Sequence, residues 1–109
     1  VSLVVNTGGE KVFVEEVEEV LRAHPSVADA LVVGRPSDRW GEELVALVEL
    51  RDGADAAREL LHAHCSSQLA RFKAPKDYIF VEQVHRLGNG KADYRWAKSQ
   101  ATEKAPMST

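Results

Sequence analysis

Lys91 is the residue whose setting points most directly to chemistry. It ends the run Leu87-Gly88-Asn89-Gly90-Lys91, between a strand-like and a helix-like stretch. Two glycines around one Asn let the backbone turn tightly and adopt positive φ, and they leave the lysine uncrowded. An ammonium presented this way is a mobile point charge, suited to an anionic oxygen that exists at only one stage of a reaction. The same pattern also describes an ordinary turn with a solvated lysine, and in isolation that plainer reading is favoured. The run lacks the length and the terminal Ser/Thr of a phosphate-binding P-loop, which excludes that motif.

Other reactive residue types read as structural. His62 and His64 are two apart, which does not put them on one helix face, so they make a poor two-histidine metal site and no metal site is expected. Cys65 falls near Leu61 and Leu69 in a helical pattern, which suits a buried, inert thiol. Glu15, Glu16, Glu18 and Glu19 could suggest paired carboxylates. A solvated, dipole-matched helix face explains them better.

The elements that must position Lys91 follow from periodicity. Val1–Val5 reads as a strand, followed by the turn Asn6-Thr7-Gly8-Gly9. Phe13 to His24 is helical, with Val14, Val17, Val20 and Leu21 on one face and Pro25 as the stop. Val27–Val33 and Leu44–Leu50 are apolar strands joined by an eight-residue polar loop, Gly34 to Gly41, which suggests an antiparallel pair. Asp55 to Leu69 is helical again. Arg71–Lys76 is a basic loop carrying Phe72. Asp77–Val84 is a third strand, and Ala92–Gln100 a short helix. The order predicts a small α+β domain, a three-stranded, mainly antiparallel sheet covered by helices, with a short N-terminal β element. The polar stretch 102–109 reads as a disordered tail.

Composition narrows the function classes. The 109 residues, 44% hydrophobic and 28% charged, suit one globular domain. A net charge of −3 argues against a nucleic-acid module. One cysteine permits no internal disulfide. No apolar run approaches a transmembrane span and no signal peptide is apparent. The cytosol is the default location. The start on Val1, without an initiator Met, reads as a piece of something longer. A sheet with loops but no cleft, carrying a candidate catalytic lysine, points to an active site completed by another body.

Four motifs give that body an identity. NTGGEKVFVEEVEEVL (Asn6–Leu21), HPSVADALVVGRPSDRWGEELVALV (His24–Val48), LARFKAPK (Leu69–Lys76) and HRLGNGKADYRW (His85–Trp96) stand in the order found in the C-terminal domain of adenylate-forming enzymes. The chain resembles that superfamily of acyl-CoA synthetases, luciferases and peptide-synthetase adenylation domains over nearly its whole length. Its ending is most similar to actinobacterial fatty-acid and sterol-side-chain CoA ligases. The resemblance implies a lid domain over residues 1–101, with Ser2 at the hinge, working with an N-terminal domain that holds the ATP and acyl sites.

The implied reaction has two steps. A carboxylate attacks ATP to give acyl-adenylate and pyrophosphate, and CoA then displaces AMP. The substrates would be ATP, with its Mg2+ held outside this domain, CoA and an acyl carboxylate. Lys91 matches the adenylation lysine. Gly8, Gly9 and Glu10 match the loop that lines the pantetheine tunnel after the lid rotates. For Glu10, holding that loop in shape is an equal possibility. Trp40, Phe72, Lys73 and Lys76 match contacts to the CoA nucleotide, although Trp40 could equally anchor the core and Phe72 cap the sheet. Val14 replaces a common Pro, and Ala74 stands where some relatives carry arginine. The alternatives are a lid that serves a carrier protein, as in acyl-AMP ligases and peptide synthetases, and a non-catalytic interaction module. An aromatic beside basic residues favours CoA over a carrier protein, and an intact Lys91 argues against a scaffold.

Overall fold

The computed structural model describes residues 3–104. Val4–Thr7 (β1) and Glu10–Phe13 (β2) form an antiparallel hairpin, and Val14–Arg22 (α1) follows directly. Val27–Ser37 (β3) pairs antiparallel with Gly41–Leu50 (β4). Arg58–Gln68 (α2) and a single 3-10 turn, Arg71–Lys73, lead to Asp77–Phe80 (β5), and Tyr94–Glu103 (α3) closes the described chain.

The sheet order is β3-β4-β5, and β5 lies parallel to β4, so the sheet is mixed. A parallel neighbour needs a long crossover, which α2 and the 3-10 turn supply. The other pairing is antiparallel, as expected.

Burial explains why β3 and β4 read as unbroken apolar runs. Ala30 and Val32 on β3, with Leu44, Ala46 and Val48 on β4, face α1 and α2. Leu31, Val33, Val45 and Leu47 face the opposite way, toward Ala97 and Ala101 of α3. Sheets covered on both faces carry apolar residues at every position rather than every other one. The domain therefore has three layers, two helices on one side and one on the other, with the β1–β2 hairpin contributing Val5 and Val12 to the α1 side.

Several boundaries move. Strands β3 and β4 extend through most of the expected loop, leaving a connection of Asp38–Trp40. Their polar ends are held by a charge pair across the ribbon: Arg35 donates to Glu43, with Nε at 2.9 Å. Arg35 is 4% exposed and also reaches Asp77 on β5 and the Ala101 carbonyl of α3, each at 3.2 Å. The third strand stops at Phe80. Helix α3 runs through Glu103, two residues into the stretch assigned to a tail. Residues 105–109 and the hinge position Ser2 lie outside the described residues.

The acidic face of α1 is not wholly solvated. Glu18 is 1% exposed and accepts hydrogen bonds from the Val32 N–H (2.9 Å), the Tyr94 hydroxyl and Arg22 Nη2 (3.2 Å). It is a buried acceptor joining α1, β3 and α3. A carboxylate can be held inside only when its lone pairs are met in this way.

Candidate functional site

Five of the residues singled out by sequence converge on one cradle of about 290 Å3: Gly8, Glu10, Trp40, Phe72 and Lys76. They arrive on three separate connections. The β1–β2 turn brings Gly8 and Glu10, the β3–β4 turn brings Trp40, and the 3-10 turn with its following loop brings Phe72 and Lys76. The first two turns are tied by the Gly8 N–H donating to the Trp40 carbonyl at 2.8 Å. The Lys76 N–H donates to the Leu44 carbonyl at 2.8 Å and fixes the third against β4.

Gly8 is needed here for two reasons. Its φ is +58°, and a Cβ would lie 3.1 Å from the Trp40 ring. A Cβ there would force the indole to give by a few tenths of an ångström. Gly9, at φ +85°, faces open space. Trp40 is half-buried, neither a core anchor nor a free surface ring. The Lys76 ammonium stands 5.0 Å from its ring centroid and the Arg39 guanidinium 4.9 Å, cation–π distances.

Two cations at this place were not singled out from sequence, Arg39 and the cradle-lining Arg71. The sign that could have found them is adjacency: Arg39 precedes Trp40, and Arg71 precedes Phe72. Ala74 is 3% exposed and belongs to the core, so it adds nothing to the cradle. Lys73 points elsewhere. Its ammonium pairs with Glu16 of α1 at 2.8 Å, with the Phe72 ring 5.8 Å away. The cradle is thus an aromatic floor with cations around it, able to stack a flat heterocycle and meet anionic oxygens.

Lys91 is not part of this cradle. Its turn is a miniature hairpin: the Leu87 N–H donates to the Lys91 carbonyl and the Gly90 N–H to the Leu87 carbonyl, both at 2.8 Å. The Asn89 side chain accepts from the Lys91 N–H at 3.0 Å, and Gly90 takes φ +83°. Lys91 itself is exposed, and among the described residues its ammonium has no hydrogen-bond or ion-pair partner.

The turn is moored by Arg86, which grips Asp29 near the start of β3 (Nη2–Oδ1 2.8 Å, Nε–Oδ2 3.0 Å). Trp40 lies just beyond the far end of the same strand. Asp29 to Ser37 is eight strand steps, about 26 Å at the usual rise. The two candidate surfaces therefore sit toward opposite ends of one strand.

The remaining reactive groups are occupied. His64 Nε2 donates to the Val20 carbonyl at 2.7 Å, and His62 lies 3.2 Å from the Tyr78 hydroxyl. Cys65 is fully buried, and burial raises its thiol pKa. Among the described residues no group of three or more His, Cys, Asp or Glu could hold a metal, and no helix is long and apolar enough to cross a membrane. A larger groove of about 580 Å3 runs between Leu3–Val5 and α3, and none of the candidate site residues lines it.

Residues 16–91 match the family described as the AMP-binding enzyme C-terminal domain. The chain is 55% identical over 100 residues to the medium-chain acyl-CoA ligase Mig of Mycobacterium avium, covering 92% of this chain and 18% of that protein. It is 48% identical over 99 residues to a 3-oxocholest-4-en-26-oate–CoA ligase of Rhodococcus rhodochrous, covering 91% and 18%. Among solved structures, a Mycobacterium tuberculosis fatty acyl CoA synthetase superposes with a TM-score of 0.87 at 31% identity, over 94% of this chain and 20% of that one. The chain spans about a fifth of the length of the relatives it matches.

Proposed function

Because the chain belongs to the AMP-binding enzyme C-terminal domain family, we propose that it is the mobile lid of an ATP-dependent fatty-acid/acyl-CoA ligase, working with its own N-terminal domain. The observation that carries this reading is the separation of the Lys91 turn from the Trp40 cradle by most of the length of β3. One surface serves adenylation and the other thioester formation, and rotation about a hinge at Ser2 presents them in turn. Binding energy is then used separately at two transition states.

In the first step a carboxylate oxygen attacks the α-phosphorus of ATP, the α–β bridging bond breaks and pyrophosphate leaves. Lys91 places its ammonium against the charge that builds between the carboxylate and α-phosphate oxygens, in a cleft from which water is excluded. Mg2+ would accompany ATP in the full-length enzyme and would not be bound by this domain. In the second step the CoA sulfur attacks the acyl carbon, the bond to AMP oxygen breaks and the thiol proton passes to solvent. Trp40 and Phe72 stack the CoA adenine, and Lys76 meets its phosphates. Gly8, Gly9 and Glu10 line the pantetheine arm.

The aromatic floor favours CoA over a carrier protein, which has no adenine to stack. The named relatives point to medium-chain and sterol-side-chain acids as the acyl class, and the cytosol, where ATP and CoA meet, is the expected site of action. The test is Lys91→Ala in the full-length enzyme. Pyrophosphate release falls on the order of 100- to 1,000-fold, while preformed acyl-adenylate plus CoA still yields thioester. Survival of both half-reactions at wild-type rate overturns the reading.

A further inference from the structure

The hydrogen bonds inside the Lys91 turn fix its shape but not its direction relative to the domain. Direction is set by what flanks it. Five residues before Lys91, the Arg86 guanidinium grips both oxygens of Asp29, and its Nη1 also reaches the Gly90 carbonyl at 3.4 Å. One planar group thus holds the turn and the body of the domain together, a geometry that lysine cannot reproduce. Three residues after Lys91, the Tyr94 hydroxyl donates to Glu18.

The two anchors are themselves linked. Arg22 donates to Asp29 from Nε (3.2 Å), to Glu18 from Nη2 (3.2 Å) and to the Ala30 carbonyl (3.1 Å). Asp29 is held in turn by the Ala30 N–H at 2.8 Å, beside the irregularity that separates it from Val27 in the β3 register. The result is a closed circuit, Arg86–Asp29–Arg22–Glu18–Tyr94, that enters the chain on one side of Lys91 and leaves it on the other.

We propose that this circuit is the positioning device of Lys91, with Arg86 and Asp29 as positioning residues that aim the turn for adenylation. The inference rests on the reading of Lys91 given above. It adds a requirement that the lysine alone does not impose: the ammonium must be presented from a turn with one fixed orientation. A loosely held catalytic group loses rate out of proportion to its displacement, about 100-fold for roughly 1 Å.

The experiment uses the full-length enzyme with Arg86→Ala, Arg86→Lys and Asp29→Asn beside Lys91→Ala, each measured in both half-reactions and by thermal melting. Arg86→Ala is expected to slow pyrophosphate release about 10- to 100-fold with the KM for ATP little changed. Thioester formation from preformed acyl-adenylate stays at wild-type rate. Arg86→Lys, which keeps charge but not the two-point grip, fails in the same selective way. If the Arg86 and Asp29 variants adenylate normally while Lys91→Ala does not, the positioning role is overturned and the lysine reading stands. If they lose both half-reactions together with melting temperature, the circuit is only structural and the inference is likewise overturned. If Lys91→Ala itself adenylates normally, the underlying reading falls and this inference with it.

Discussion

The Tyr94 hydroxyl stands 3.0 and 2.9 Å from the two carboxylate oxygens of Glu18, joining α3 to α1 past the edge of β3. Glu18 is nearly inaccessible, and the Val32 N–H and Arg22 supply its other partners. Tyr94→Phe removes a donor from a buried acceptor without changing its shape. The expected cost is about 1–3 kcal/mol, read from the midpoint of denaturant unfolding. An unchanged midpoint would show that water replaces the hydroxyl freely.

The same carboxyl gives a pH signature. Burial, the largest influence, pushes the Glu18 pKa above the ordinary value of 4.5, against its hydrogen bonds to Val32, Tyr94 and Arg22. A carboxyl raised in the folded state contributes stability that is full below its unfolded value and is lost as pH rises through the folded one. Glu18→Gln does not titrate, so its stability relative to wild type should climb as pH rises above 4.5. A relative stability that is flat with pH would refute the raised value.

Asp29 runs the other way. Burial raises its pKa, but hydrogen bonds from Arg86 and the Ala30 N–H, with the charge of Arg86 and a bond from Arg22, outweigh that and hold it below 3.8. Its contribution is present above the unfolded value and is lost as pH falls through the folded one. The stability gap between wild type and Asp29→Asn should therefore close below pH 3.8 and stand fully open at neutral pH. Urea titrations of both proteins across that window decide it.

Gly8→Ala should be disproportionately harmful for a one-carbon change. The backbone sits at φ +58° and the new methyl would lie 3.1 Å from the Trp40 ring. We expect a loss of about 1 kcal/mol or more in stability. In the full-length enzyme it also raises the KM for CoA, with pyrophosphate release unaffected. Gly9→Ala meets no neighbour and should show the backbone cost alone.

Trp40→Ala removes the cradle floor. Stacking a base on an aromatic is worth about 1–3 kcal/mol, so the KM for CoA should rise about 10- to 100-fold. Adenylate formation should not change. Equal loss in both half-reactions would mean that Trp40 serves the fold.

Much of this architecture was legible in the chain. The apolar runs around Val32 and Leu47 announced strands, and the spacing of Val14, Val17 and Leu21 announced α1. What escaped depends on partners distant in sequence. Residues Glu10–Phe13 offer only Val12 to a core, and periodicity starts the helix at Phe13, yet all four pair with β1. Arg35, Glu42 and Glu43 look like loop residues until the Arg35–Glu43 pair lets the ribbon run on. Glu18 is indistinguishable in sequence from its solvated neighbours, because only the fold brings Tyr94 and Val32 to it. For Lys73, a position beside Phe72 suggested the cradle, and Glu16 of α1 holds it instead.

The β3–β4 ribbon also behaves as a ruler. Its ten paired positions, from Val27 opposite Leu50 to Ser37 opposite Gly41, set how far the Trp40 cradle stands from Asp29 and the turn moored there. Removing two facing residues from each strand would keep every side chain on its own face yet shorten the span by about 7 Å. Such a domain could fold normally and still deliver its two surfaces to the wrong depths of a partner built for the original length. Strand length here is a dimension of the machine, independent of any residue in either site.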